Sequence, residues 1–185
     1  MNPSRNLFII GATGAGKTSI GRRLATHYGC PFVDLDQEIE QQAGVSASTI
    51  FDVEGETAFR KRESTLLDSC TQRSGIILAS GAGAVLTTSN RERLAARGFV
   101  VWLQTTIEQQ LERLRRDRSR PLLHVADRRL RLQAMAAERE PLYRAIADLV
   151  IASDRGSLAA MSARCIDLVD AQWTQPGAGM AQQHA

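Results

Sequence analysis

The chain reads as an α/β fold, a parallel sheet buried on both faces by helices. Three observations predict this. Five short apolar runs, at 7–10, 31–34, 75–80, 99–103 and 149–152, do not alternate cleanly with polar residues, as expected of strands covered on both sides. The stretches between them carry apolar residues at three- and four-residue steps, the period of a helix. The first run passes straight into a glycine-rich turn that opens a helix.

That turn is Gly11-Ala12-Thr13-Gly14-Ala15-Gly16-Lys17-Thr18, following Leu7-Phe8-Ile9-Ile10 and followed by Ser19-Ile20-Gly21-Arg22-Arg23-Leu24-Ala25. It matches G-x-x-x-x-G-K-[ST] in the strand–loop–helix context that a phosphate-binding loop requires. Its backbone N–H groups cradle phosphate oxygens, helped by the positive end of the helix dipole. Lys17 reaches the β- and γ-phosphates, and the Thr18 hydroxyl is placed to bind Mg²⁺. Chance occurrence in a chain with only two lysines is on the order of 10⁻³, before the context is demanded. The loop implies a nucleotide-phosphate site.

The second strand ends in Asp34-Leu35-Asp36. Residues i and i+2 of a strand share a face, so both carboxylates are expected to project from the sheet edge that carries the phosphate loop. Two acids there can hold Mg²⁺ through water, accept a hydrogen bond from a substrate hydroxyl, or take its proton. The alternative for Asp36 is capping of a helix over 37–42.

A helix is expected to start near Gly55-Glu56, with Phe59, Glu63, Leu66, Leu67 and Cys70 on one stripe. Arg60 on that helix could clamp a carboxylate through two guanidinium nitrogens, as could Arg139, which precedes Pro141-Leu142-Tyr143; a solvated surface charge is the alternative for each. Thr106 is expected to cap a helix carrying Ile107, Gln110, Leu111 and Leu114. Eight arginines lie between 113 and 131, around Pro121-Leu122-Leu123-His124, a candidate lid that would bring an arginine to the transferring phosphoryl group. A solvated basic helix face is the alternative for most of these side chains. A further helix holds Ala134, Met135, Arg139 and Leu142, and Ser157 is expected to cap the last, through Leu158, Met161, Cys165 and Leu168.

Composition narrows the classes. At 185 residues with 43% hydrophobic and 23% charged residues, the expectation is one globular domain over 1–171. The polar, glycine-containing stretch over 172–185 is expected to be a disordered tail. No apolar run approaches the about 18 residues of a membrane span, and the start of the chain leaves no room for a signal peptide. Cys30, Cys70 and Cys165 are few, odd in number and widely spaced, which argues for thiols in a reducing cytoplasm. A net charge of +3 is modest, and no aromatic-interleaved basic stretch suggests nucleic acid.

Taken together, these residues resemble a shikimate kinase, in the nucleoside-monophosphate-kinase-like branch of P-loop kinases. The resemblance runs from about residue 7 to about 169 and its parts occur in family order. They are GATGAGKT at 11–18, the acids Asp34 and Asp36, Ile50-Phe51 leading to Gly55-Glu56 and Phe59-Arg60-x-x-Glu63, then Ser80-Gly81-Ala82-Gly83-Ala84-Val85, Arg120-Pro121-Leu122-Leu123 and Arg139-x-Pro141-Leu142-Tyr143.

The resemblance implies a three-layer α/β/α P-loop fold with a five-stranded parallel sheet of order 2-3-1-4-5 and a mobile lid at about 113–127. It implies ATP:shikimate 3-phosphotransfer on the route to chorismate and aromatic amino acids, with ATP as co-substrate and Mg²⁺ as cofactor, in a cytoplasmic monomer. Carried over residue by residue, Gly14, Ala15, Gly16, Lys17, Thr18 and Ser19 hold the ATP phosphates. Thr18 binds the metal and Asp34 supports it through water. Asp36 holds ring hydroxyls and is the general base, and Arg60 and Arg139 pair with the shikimate carboxylate. Ala82 and Gly83 approach the ring, Arg120 descends onto the phosphates, and Arg113 and Arg155 flank the adenine. One departure stands out: the family usually has three glycines where this chain has Gly81-Ala82-Gly83, so Ala82 is either in ordinary backbone or a source of strain. A gluconate-type kinase, or a regulator that binds nucleotide without turnover, is the competing expectation.

Overall fold

The computed structural model describes residues 4–115, 125–153 and 156–173. Five strands alternate with helices: β1 (Leu7–Ile10), α1 (Lys17–Tyr28), β2 (Phe32–Asp34), α2 (Leu35–Ala43), α3 (Ala47–Thr71) and β3 (Ile77–Ala79) come first. A 3₁₀ turn (Ala84–Leu86), α4 (Thr88–Arg97), β4 (Phe99–Gln104), α5 (Ile107–Arg113), α6 (Arg128–Ile146), β5 (Leu149–Ala152) and α7 (Leu158–Asp170) complete the described chain. All pairings are parallel and the order is β2-β3-β1-β4-β5, as the family resemblance implied.

Both faces of the sheet are covered along β1, β3 and β4, which is why those strands carry no polar alternation, whereas the edge strand β5 leaves Val150 exposed. Phe8, Ile10, Val33, Leu78, Val100 and Trp102 point to one side, where Leu67 of α3, Leu94 of α4 and Tyr143 of α6 cover them. Leu7, Ile9, Ile77, Val101 and Leu103 point to the other, against Ile20 and Leu24 of α1 and Met161, Cys165 and Val169 of α7. Side chains with period two thus meet helices with period 3.6 on both faces.

Several helix boundaries match their local chemistry. Thr106 accepts from the Gln109 amide while Gln109 returns to the Thr106 N–H, a complete capping box. Ser157 accepts from the Ala160 amide at the start of α7. Three elements differ from expectation. The helix expected from 55 begins at Ala47, capped by Ser46, and is interrupted at Gly55, whose φ of 82° few other residues adopt. α4 was not anticipated, because TSNRERLAAR holds a single large apolar residue. α6 carries the expected Ala134, Met135, Arg139 and Leu142 but is longer than those residues marked, from Arg128 through Pro141 to Ile146.

The expected start of the tail at 172 also shifts. Gln172 donates to the Val169 carbonyl. Trp173 is 5% exposed, stacks on Phe99, meets Tyr28 edge-on and donates its indole N–H to the Ser4 carbonyl. The remainder of the expected tail, and 116–124 of the expected lid, lie outside the described residues. Trp173→Ala should remove about 3 kcal/mol of stability and lower Tm by about 10 °C in a thermal melt. An unchanged Tm would show that this anchor contributes nothing.

Candidate active site

The phosphate loop connects β1 to α1 at the carboxyl edge of the sheet. Gly11, Gly14 and Gly16 have φ of 139°, 77° and 94°, a left-handed path that side-chain-bearing residues rarely follow. Gly16 precedes α1 without any side-chain cap, so the first amides of the helix have no side-chain oxygen of their own cap residue. Lys17 Nζ donates to the Gly11 and Ala12 carbonyls at 2.9 and 3.0 Å, curling over the loop. Thr18 Oγ1 donates to Asp34 Oδ2 at 2.6 Å.

The acid pair is not built as the strand periodicity suggested. β2 stops at Asp34, whose Oδ1 accepts from the Gln37 amide and caps α2, while Asp36 lies in the first helical turn. The reason is local: Asp is a preferred N-cap, and capping ends the strand one residue before Leu35. Both acids nevertheless line one cavity of about 200 Å³ with Gly16, Lys17, Thr18 and Ala82. Gly14 and Ser19 also line it. Ala15 is buried beneath the loop.

Beyond Asp36 the walls become two arginines and a buried acid. The backbone of 81–83 passes directly under their side chains. A Cβ on Gly81 would overlap Glu63 Oε1 and come within 2.8 Å of Asp36 Oδ1, and one on Gly83 would overlap the Arg60 guanidinium. Glycine matters at both positions for room rather than for backbone angle, since neither has a left-handed φ and a side chain would have to push these charged groups aside. Among the described residues only glycines have positive φ, so Ala82 sits in ordinary backbone and its methyl adds no strain there.

Glu63 is fully buried on the apolar stripe of α3. Its Oε2 accepts from Arg60 Nη1 at 2.8 Å, whereas Oε1 has no hydrogen-bond partner among the described residues. Burial pushes the Glu63 carboxyl above the usual range, opposed by Arg60 and reinforced by Asp36. Arg60 also bridges the exposed Glu56 and lies over the Phe59 and Phe51 rings. Arg139 is 5% exposed; its Nε has no hydrogen-bond acceptor, and its only charged neighbour within 4 Å among the described residues is the exposed Glu138, at 3.8 Å. Burial first, and the Arg60 charge among the smaller causes, lower its pKa. A half-buried and a buried guanidinium thus lie within one another's field, and Arg139 Nε has no acceptor among the described residues, a setting that favours an anionic ligand.

Arg113 lies on the outer side of the phosphate loop, donating to the Gly14 carbonyl at 3.0 Å and to Ser153 Oγ at 2.8 Å. Arg120 and Arg155 lie outside the described residues. In the sequence Glu63 stands in a helical stripe and in the Phe59-Arg60-x-x-Glu63 segment, with no role of its own attached. Its signal was available: a carboxylate at a core position is rarely left there without a partner.

Known proteins share this arrangement. The family model described as shikimate kinase matches residues 13–170. A shikimate kinase from Pasteurella multocida is 50% identical over 171 residues, covering 92% of this chain and 98% of that protein. One from Xanthomonas euvesicatoria is 49% identical over 173 residues, covering 94% and 96%. The structure titled shikimate kinase from Acinetobacter baumannii in complex with shikimate superposes with a TM-score of 0.88 at 39% identity, covering 92% of this chain and 95% of that one. The chain belongs to the shikimate kinase family of ATP-dependent phosphotransferases.

Proposed function

We propose that this chain transfers the γ-phosphoryl group of ATP to the 3-hydroxyl of shikimate, giving ADP and shikimate 3-phosphate. The observation that carries the reading is the half-buried Arg60 and the buried Arg139, whose Nε has no acceptor among the described residues, gathered around Glu63, which also lies in the field of Asp36. Shikimate is a monoanion with three hydroxyls, and such a site offers guanidinium forks for its carboxylate and an acid for its hydroxyls.

In this reading the amides of 14–19 and Lys17 hold the ATP phosphates. The carboxylate held by Arg60 and Arg139 orients the ring so that the 3-hydroxyl oxygen lies in line with the γ-phosphorus. Asp36 takes the hydroxyl proton as the O–P bond forms, and the electron pair of the breaking P–O bond leaves with ADP. Positioning and charge neutralisation carry most of the catalysis, so little covalent chemistry is asked of the protein. Thr18 and Asp34 supply hard oxygens 2.6 Å apart next to the phosphate loop, a donor set that suits Mg²⁺ shared with phosphates. When bound, the ion neutralises charge on the β- and γ-oxygens. Arg120 over the phosphates, Arg113 and Arg155 beside the adenine, and a lid at about 113–127 on a single domain over 1–171 belong to the same proposal. So do a monomeric state and a cytoplasmic location; no described helix is long and apolar enough to cross a membrane.

Gly83→Ala tests the acceptor end. The added methyl displaces the Arg60 guanidinium, so KM for shikimate should rise by about tenfold while KM for MgATP holds. Equal shikimate kinetics in the variant would remove Arg60 from the carboxylate. The reading as a whole is tested by ADP release from MgATP with shikimate, quinate, gluconate and nucleoside monophosphates as acceptors. Selective turnover of shikimate is expected. Turnover of gluconate instead would place the error at the arginine pair, and ATP binding without turnover of any acceptor would indicate a regulator.

A further inference from the structure

The segment Gly81-Ala82-Gly83 is packed with no slack on its upper side, where Asp36 and Glu63 lie over Gly81 and Arg60 lies over Gly83. Its following turn is tied by Ala84 N–H to the Gly81 carbonyl and Leu86 N–H to the Gly83 carbonyl. Asn90 of α4 donates to the Ala84 carbonyl, anchoring the far end at 3.0 Å. One contact holds the middle: the Tyr143 hydroxyl donates to the Ala82 carbonyl at 2.5 Å. Tyr143 lies one helical turn after Arg139 on α6, is 1% exposed and packs its ring on Trp102. Burial keeps the phenol protonated well beyond its ordinary range, so it remains a donor.

We propose that Tyr143 is a positioning residue for the acceptor, holding the Ala82 carbonyl so that the 81–83 backbone sets the heights of Asp36, Glu63 and Arg60 relative to Arg139 on the same helix. The proposal rests on the reading of this end of the site as the acceptor pocket. Its physical basis is short. The three charged side chains lie so close over this backbone that no room for a Cβ remains at Gly81 or Gly83, so a shift of the loop alters what they rest on. A hydroxyl on the helix that also carries Arg139 therefore links the two walls that must grip one carboxylate. Such couplings matter because sub-ångström misplacement of a bound substrate is costly.

Tyr143→Phe keeps the ring against Trp102 and removes only the donor. Two readouts are compared with wild type: steady-state kinetics against each substrate, and amide hydrogen exchange of Ala84 in the ligand-free protein. KM for shikimate should rise about fivefold or more with KM for MgATP in place, and Ala84 should exchange about tenfold faster. Unchanged shikimate KM together with unchanged Ala84 exchange would overturn the proposal. So would an equal loss of kcat with both KM values intact and a lowered Tm, the mark of plain fold support. If wild type prefers another acceptor, the shikimate reading fails, and Ala84 exchange still decides the role of Tyr143.

Discussion

Replacing Lys17 with methionine should reduce kcat about a thousandfold with little change in Tm. Lys17 is half-buried over the phosphate loop, and its ammonium already bonds the Gly11 and Ala12 carbonyls. In the proposed reaction it gives up part of that bonding for the phosphoryl oxygens, where charge develops as the P–O bond breaks. Removing one preorganised donor of this kind typically costs a hundred- to a thousandfold in rate. Methionine fills the volume and cannot donate, so the effect isolates the charge. Measured by ADP release beside a thermal melt, a fall of less than tenfold would mean that the loop amides alone carry the phosphoryl group.

Asp36→Asn should cut turnover by roughly a hundredfold or more while leaving ATP binding nearly intact. The side chain sits in the first turn of α2, its carboxylate over Gly81 and beside Glu63, in the cavity it shares with Lys17 and Thr18. Asparagine preserves that shape and can still meet a ring hydroxyl, but it cannot take the proton. Nucleotide affinity, read by titration, separates the base role from general damage to the pocket. Unchanged turnover would remove Asp36 from its proposed role and leave the reacting hydroxyl to deprotonate without protein help.

The parts legible in the sequence share a physical character. The phosphate loop was readable because each glycine answers a local backbone demand, seen in the φ values of Gly11, Gly14 and Gly16. The strands were readable because both faces of the sheet are buried, and the caps at Thr106 and Ser157 because capping is a near-neighbour interaction. What escaped depends on tertiary context. α4 has only Leu94 as a large apolar contact and is held by Asn90, Arg93 and Arg97, which bond backbone or acids across the fold. Asp34 as a helix cap with Asp36 beyond it could not be told from two strand residues, since three residues of sequence admit both. The importance of Glu63 and Tyr143 appears only when α3, α6 and the 81–83 backbone are brought together.

The measurement that tests the account most directly is a calorimetric comparison of shikimate and its methyl ester binding to the wild-type protein. The ester keeps the ring and all three hydroxyls, neutralises the carboxylate offered to Arg60 and Arg139 and adds one methyl group there. Binding of the ester should be weaker by about a hundredfold, the loss of charge-assisted hydrogen bonds to the half-buried Arg60 and the buried Arg139. Equal affinity for acid and ester would contradict it, because the two arginines would then have no carboxylate to receive.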